Sequence, residues 1–371
     1  MVFSISCEDI ATKARVGKLR TAHGVVATPC FMPVATKASV KTLASEELLG
    51  LGVEAIISNA LLLYLKPGVE VISAAGGLHK FMNFPRVIFT DSGGFQALRR
   101  EFKPEFTKRG IAFRSPFDNS RHVFTPELCV AVQEALGSDI AMTLDDCPPY
   151  GEAKERYVES VARTTRWARA CKAAHTCDDQ LLFAIAQGGT FADLRRESAA
   201  QLAALEFDGY GIGGLSIGEP HDVMLEMLEV SISALPEEKP RYLMGLGSPI
   251  EVLEAIARGV DIFDSAFPTR NARHSAVYTH AGKYSITKAK HLRSFAPLEE
   301  GCTCYTCRNY TRAYVSHLMR AGETLGMRLV TLHNLHFMQA LMREARKAIA
   351  AGEFAEFLKE FKQNFKRAKH G

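Results

Sequence analysis

The sequence predicts an α/β fold, a (β/α)8 TIM barrel, and three observations carry that expectation. Eight short apolar runs recur along the 371 residues. They are continuously apolar rather than alternating, as strands covered on both faces of a parallel sheet must be. Most are followed by a stretch with apolar residues three and four apart, the spacing of a helix packed on one side. An open doubly wound sheet would read similarly, but the count of eight favours a closed ring.

In order, the runs are Ala27 to Thr36, Val53 to Ala60, Arg86 to Gly94, Asp139 to Cys147, Leu181 to Gly189, Gly209 to Ser216, Arg241 to Gly247 and Val260 to Pro268. Ser45-Glu46-Glu47-Leu48 suits a helix start, with acids in the first turn. Tyr157 to Ala174, Phe191 to Leu205 and Pro249 to Arg258 keep helical spacing. Residues 1 to 25 read as an N-terminal β-hairpin. Two stretches break the alternation. Residues 97 to 126 hold short β-like pieces between turns, an insertion after strand 3. Residues 275 to 335 interrupt the barrel after strand 8 and hold Cys302, Cys304, Cys307 and His333. Three thiols in C-x-C-x2-C spacing with a trailing histidine match a tetrahedral structural zinc site. The expected organisation is one catalytic domain over 1–371, with a zinc-binding subdomain at 275–335 inserted in it.

Hydrophobic residues make up 47% of the chain, enough for a sizeable core and against extensive disorder. A net charge of +4 does not by itself point to nucleic acid. The distribution is more telling. Arg343, Arg346, Lys347, Lys359, Lys362, Lys366, Arg367 and Lys369 crowd the tail, and Lys283, Lys288, Lys290 and Arg293 form a second basic stretch. Such clusters can hold phosphates, although solvated faces are the commoner explanation. Nine cysteines, six of them scattered, do not look like a secreted disulfide framework. With no signal peptide or apolar span in view, a cytoplasmic enzyme without membrane contact is expected.

Active sites of such barrels lie where the strands end. The third run ends Asp91-Ser92-Gly93-Gly94-Phe95-Gln96, the fourth Asp145-Asp146-Cys147, the fifth Gln187-Gly188-Gly189. The sixth ends Gly213-Gly214-Leu215-Ser216, the seventh Met244-Gly245, and the eighth reaches Asp264. A single aspartate there is most often a helix cap. Three at one mouth favour chemistry: one carboxylate as nucleophile, another as acid and then base. The glycines, amide and aromatic suit a flat heterocycle.

With these motifs and the segment Asp264 to His274, the chain resembles the bacterial-type tRNA-guanine transglycosylases, the queuine tRNA-ribosyltransferase family, from about Pro29 to His336. The resemblance implies exchange of the wobble guanine of tRNAs with a GUN anticodon for a 7-deazaguanine, in queuosine biosynthesis. It puts Asp264 at the nucleophile position and Asp91 at the general acid/base position. Ser92, Asp145, Gln187 and Gly214 fall where the family binds the heterocycle. Leu215 would offer a carbonyl to an aminomethyl group, and Phe95 and Met244 would sandwich the ring. Arg270 and Arg273 fall in the anticodon-binding loop. A base buried in a stack must leave it to reach such a pocket. Cys302, Cys304, Cys307 and His333 would hold one structural zinc per subunit, His333 being preferred over His336, and the family is usually homodimeric through this region.

Several positions depart from the family pattern. Phe95 stands for a tyrosine, Asn59-Ala60-Leu61-Leu62 for Asn-Thr-Tyr-His, Ala272 and Ser275 for glycines, and Asp146 for a glutamate. Ile217 narrows the pocket where queuine-using relatives carry glycine, which favours 7-aminomethyl-7-deazaguanine as the incoming base. Two other readings compete: a barrel enzyme for a free nucleobase or nucleoside, and a non-catalytic tRNA-binding partner subunit.

Overall fold

The computed structural model describes residues 2–97 and 100–367. Strands β1 (Phe3–Glu8), β2 (Arg15–Thr21) and β3 (Gly24–Thr28) form an antiparallel sheet that precedes the barrel. The predicted hairpin is thus three strands, and Ala27 and Thr28 of the first apolar run belong to it. Proline has no N–H for a ladder, and Pro29 separates β3 from the first barrel strand. The barrel begins with β4 (Cys30–Pro33), β5 (Ala55–Asn59) and β6 (Val87–Asp91). An insertion follows as the antiparallel β7 (Glu105–Phe106), β8 (Ile111–Arg114) and β9 (Arg121–Phe124). The barrel then resumes with β10 (Ile140–Met142), β11 (Leu181–Ala186), β12 (Gly209–Ile212), β13 (Arg241–Leu243) and β14 (Ile262–Ser265).

Each of the eight predicted runs contains one barrel strand, and the strands are parallel in the order β4-β14-β13-β12-β11-β10-β6-β5. A parallel bridge between Val34 and Ile57 joins the two ends, and the Ala35 N–H donates to the Ile57 carbonyl at 2.7 Å. The ring is therefore closed. The predicted helices run Ser45–Gly50, Lys154–Ala174, Ala192–Ala203 and Pro249–Ile256.

Side chains alternate along a strand, so each barrel strand divides its residues between two cores. Val87 and Phe89 of β6, Phe183 and Ile185 of β11, Tyr242 of β13 and Ile262 of β14 fill the interior. Ile88, Ala184, Leu243 and Phe263 pack outward under the helices. Phe3, Leu19 and Val26 of the N-terminal sheet join the interior cluster. This period of two places Asp91, Gln187, Met244 and Asp264 on the inward side, one step above the last interior residue of their strands.

After the eighth strand come β15 (Ala276–Thr279), β16 (Gly282–Ser285), the helices Tyr305–Asn309 and Arg312–Arg320, and a 28-residue helix, Thr324–Ala351. The first half of that long helix carries His333. Its second half returns to the barrel, where Gln339 Nε2 donates to the Phe31 carbonyl at 2.9 Å and Arg346 Nη1 to the Pro29 carbonyl at 2.7 Å. The final helix, Phe354–Arg367, packs on Pro249–Ile256. Of the basic tail, Arg346 binds backbone carbonyls, Lys362 pairs with Glu254 and Lys359 lies 3.6 Å from Glu356. These three cations engage the protein itself, and the side chains of Lys366 and Arg367 lie outside the described residues. Lys369 lies outside the described residues.

Candidate active site

Three carboxylates stand at the mouth. Asn59 and Asp91 are register partners on β5 and β6, and Asn59 Nδ2 donates to Asp91 Oδ2 at 3.1 Å. The same amide's Oδ1 accepts from the Leu62 N–H at 2.9 Å, capping the helix that follows β5. Asp264 Oδ1 accepts from the Tyr242 hydroxyl at 2.5 Å and from the Gly245 N–H at 2.9 Å. Asp145 accepts from Gln187 Nε2 at 2.6 Å and from Ser92 Oγ at 3.4 Å. Among the described residues, no Lys, Arg or His forms an ion pair with any of the three.

Burial without a cation drives their protonation upward. Burial and the Asp264 charge push Asp91 up to about 6, while Gly93, Asn59 and Gln96 hold it down. Burial and the Asp91 charge push Asp145 up to about 7. Burial raises Asp264 as well, but the Tyr242 hydroxyl and Gly245 N–H stabilise its ionised form. Burial raises both acids and donors hold both down; what sets Asp91 apart is the added repulsion of the Asp264 charge, a pairing that pushes two acids' protonation apart.

The fold brings Ser92, Asp145, Gln187 and Gly214 into one pocket wall. Gly94 lies so close that a Cβ there would meet the Asp145 carbonyl at 2.5 Å. A Cβ at Gly214 would meet Gln187 Oε1 at 2.5 Å, and Gly214 has φ +66°. Gln187 Oε1 is buried without a protein partner. Leu215 is buried and Ile217 half-buried, and the Ile217 N–H donates to Glu219 Oε2 at 3.0 Å. Phe95 is 42% exposed at the rim. Met244 sits over Gly211, whose added Cβ would lie 3.3 Å from its sulfur. Asp146 turns away from the pocket and accepts from Arg156 and Arg163 instead.

Asn59, as a partner of Asp91, and Tyr242, as a partner of Asp264, were not singled out as site residues by the sequence. The available signal was the period of two: Tyr242 and Met244 share the inward face of β13.

Arg270 and Arg273 lie on the helix Phe267–Arg273, directly after β14. Arg270 is exposed, while Arg273 Nη1 donates to the Thr269 carbonyl at 2.9 Å. Ser275 adopts φ +67°, a left-handed backbone that glycine takes more easily than serine. Neither arginine contacts the carboxylates.

The four proposed metal ligands are together. His333 Nδ1 lies 3.7, 3.5 and 3.4 Å from the sulfurs of Cys302, Cys304 and Cys307. A tetrahedral zinc with bonds of about 2.3 Å to sulfur and 2.0 Å to nitrogen separates those atoms by about 3.5 Å. His333 Nε2 donates to the Tyr278 carbonyl at 2.7 Å, leaving Nδ1 free to ligate. The next residue, Asn334, donates to the Pro268 carbonyl at 3.1 Å and accepts from the Tyr278 N–H at 3.0 Å. The metal cluster and the arginine helix are thus fastened to one turn of the long helix.

A family model described as queuine tRNA-ribosyltransferase matches residues 9–367. Relatives named queuine tRNA-ribosyltransferase include one from Desulforudis audaxviator, 53% identical over 97% of this chain and 97% of its own. The Symbiobacterium thermophilum relative is 52% identical over 95% of this chain and 88% of its own. The Moorella thermoacetica relative is 50% identical over 100% of this chain and 99% of its own. The chain, with its closed barrel, acid-lined mouth and Cys3His cluster, belongs to the queuine tRNA-ribosyltransferase family.

Proposed function

We propose that the chain exchanges the wobble guanine of GUN-anticodon tRNAs for a 7-deazaguanine by double displacement on Asp264. The observation that carries this reading is the contrast between Asp91, raised by burial and by the Asp264 charge, and Asp264, raised by burial alone and held by Tyr242 and Gly245. Asp264 attacks the anomeric carbon of the ribose, forming a carbon–oxygen bond as the bond to guanine N9 breaks. Asp91 gives its proton to the departing base. It then takes the proton from the incoming base, whose nitrogen displaces Asp264 and restores the carboxylate. One glycosidic bond replaces another, so no external energy source enters.

Asp145, Gln187 and Gly214 read the heterocycle's polar edge, with Ser92 supporting Asp145. Phe95 and Met244 cover its faces, and the Leu215 carbonyl takes the aminomethyl group. Ile217 opposes the bulk of queuine, so 7-aminomethyl-7-deazaguanine is the incoming base. Arg270 and Arg273 bind the anticodon loop, whose unstacked bases suit this kind of recognition. The Cys3His cluster binds one zinc per subunit. Four protein ligands leave no open position, so the ion's part is structural. Residues 1–371 act as one catalytic domain with 275–335 as its zinc-binding insert. The enzyme works as a homodimer in the cytoplasm. Exposed Tyr305, Tyr314 and Leu325 beside the cluster support pairing through this region. No helix among the described residues is long and apolar enough to cross a membrane.

The test is release of labelled guanine from a GUN-anticodon tRNA, with 7-aminomethyl-7-deazaguanine and queuine run in parallel. Release with the first alone supports both exchange and the narrow pocket. Release with queuine too removes the Ile217 argument. No release with either, from zinc-loaded protein, sinks the exchange reading in favour of a free-nucleobase enzyme or a partner subunit.

A further inference from the structure

We propose that Arg195 is a positioning residue that sets the base-reading edge of the pocket, fixing two backbone N–H groups toward the bound heterocycle. The inference deepens the proposed function and rests on its assignment of the base pocket.

Arg195 sits on the helix Ala192–Ala203 and is fully buried. Among the described residues it has no carboxylate in ion-pair contact. A buried guanidinium is costly unless its donors are satisfied. Here carbonyls satisfy them: Nε donates to Gly189 at 2.8 Å, Nη1 to Gly213 at 2.7 Å and Nη2 to Gly214 at 3.0 Å. Burial lowers its pKa to about 10, which leaves it charged at neutral pH.

The consequence follows from peptide geometry. In a trans peptide the C=O and N–H point in opposite directions. Drawing the Gly213 carbonyl to Arg195 turns the Gly214 N–H away from it. Drawing the Gly214 carbonyl does the same to the Leu215 N–H. Successive carbonyls can point the same way only through a helical-type turn, and Gly214 supplies it with φ +66°. Neither N–H has a protein acceptor among the described residues. The nearby Gln187 is fixed from the same helix, where Ser198 Oγ accepts the Gln187 N–H at 3.0 Å. One helix therefore holds both the backbone of Gln187 and the turn at Gly213 and Gly214. Two parallel donors suit a base carrying a carbonyl at that edge, a 6-oxopurine or its 7-deaza form, and disfavour a 6-aminopurine.

The experiment compares binding of guanine and of adenine by calorimetry, and KM for guanine against KM for tRNA, in wild type, Arg195→Lys, Arg195→Met and Gly214→Ala. Loss of an aligned donor weakens guanine binding roughly tenfold. The expected result is that Arg195→Met and Gly214→Ala weaken guanine binding by about that factor, narrow the guanine preference and raise KM for guanine, with KM for tRNA unchanged. Arg195→Lys, which keeps the charge but not the fork, falls between them and wild type. A general loss of structure would instead weaken tRNA binding as well. Gly214→Ala also sets a Cβ against Gln187 Oε1, so Arg195→Lys, which keeps a buried cation, decides the question if Arg195→Met does not fold. Unchanged guanine affinity and preference in a folded variant overturns the proposal. Wild type that binds guanine without exchanging it defeats the proposed reaction alone, and the binding comparison still decides Arg195.

Discussion

Asp139 at the floor of the barrel and the acids at its mouth use the same residue type to opposite effect. On the floor, Asp139 and Asp261 precede β10 and β14. Asp139 accepts from the backbone N–H groups of His23 at 2.9 Å and Ile88 at 2.8 Å. It also meets the stacked rings of His23 and His79, each at 3.0 Å. Asp261 accepts from Arg15 Nε at 2.9 Å, Arg15 Nη2 at 2.7 Å and the Arg241 N–H at 2.8 Å. At the mouth, Asp91, Asp145 and Asp264 have amides, hydroxyls and one another. Burial works against Asp139, but His79 and the two backbone donors outweigh it and hold the acid at about 2. Asp91 and Asp145 rise to about 6 and about 7.

The signs follow by linkage. Asp139 has a depressed pKa, so its stabilisation is present above the ordinary carboxylate range and is lost as pH falls through about 2. Asp91 and Asp145 have raised values, so their contribution is fully present below that range and is lost as pH rises through about 6 and about 7. Near neutral pH the floor acid stabilises the fold and the mouth acids strain it. Barrels commonly divide stability and function between their two faces, and here Asp139 and the mouth acids divide electrostatically, whereas burial raises Asp261 despite its Arg15 partner.

The sharpest way to break this comparison is at the floor. Asp261→Ala leaves Arg15 buried without its acid and should destabilise the protein by about 3–5 kcal/mol. Urea denaturation reads this, and kcat of the folded fraction should not change. A loss under about 1 kcal/mol would mean that the floor pair does not anchor the N-terminal sheet.

At the mouth the sign reverses. Asp145→Asn should stabilise the fold by about 2–4 kcal/mol at pH 8, with the gain vanishing toward pH 4. The same substitution should weaken base binding. Thermal melts across that pH range test it, and a stability loss at pH 8 would refute the strained-mouth account. The smallest effect belongs to Asn59→Ala. It removes a donor to ionised Asp91, so the Asp91-controlled limb of the exchange pH profile should move upward by about half a unit. A downward shift would contradict the assigned hydrogen bond.

What the sequence made legible depended on local pattern. The eight strands could be read because burial on both faces leaves a continuous apolar run. The placement of Asp91, Asp145, Gln187 and Asp264 at the mouth could be read because each stands at the end of an apolar run. The Cys3His cluster followed from its spacing, since three of its members lie within six residues. Relations across elements stayed hidden. Asn59 meets Asp91 through the register of β5 and β6, and Arg195 meets Gly213 and Gly214 from a helix one strand away. The partners of the basic tail stayed hidden for a similar reason: Glu254 beside Lys362 and the Pro29 carbonyl beside Arg346 come from distant parts of the chain.

The most direct test of the central claim is to trap the intermediate. Wild type and Asp264→Asn would be incubated with a GUN-anticodon tRNA, resolved on a denaturing gel, and any adduct mapped by peptide mass spectrometry. The account predicts a covalent tRNA–protein band in wild type, attached at Asp264, and none in Asp264→Asn. An adduct at Asp91, or one that survives in Asp264→Asn, would contradict it.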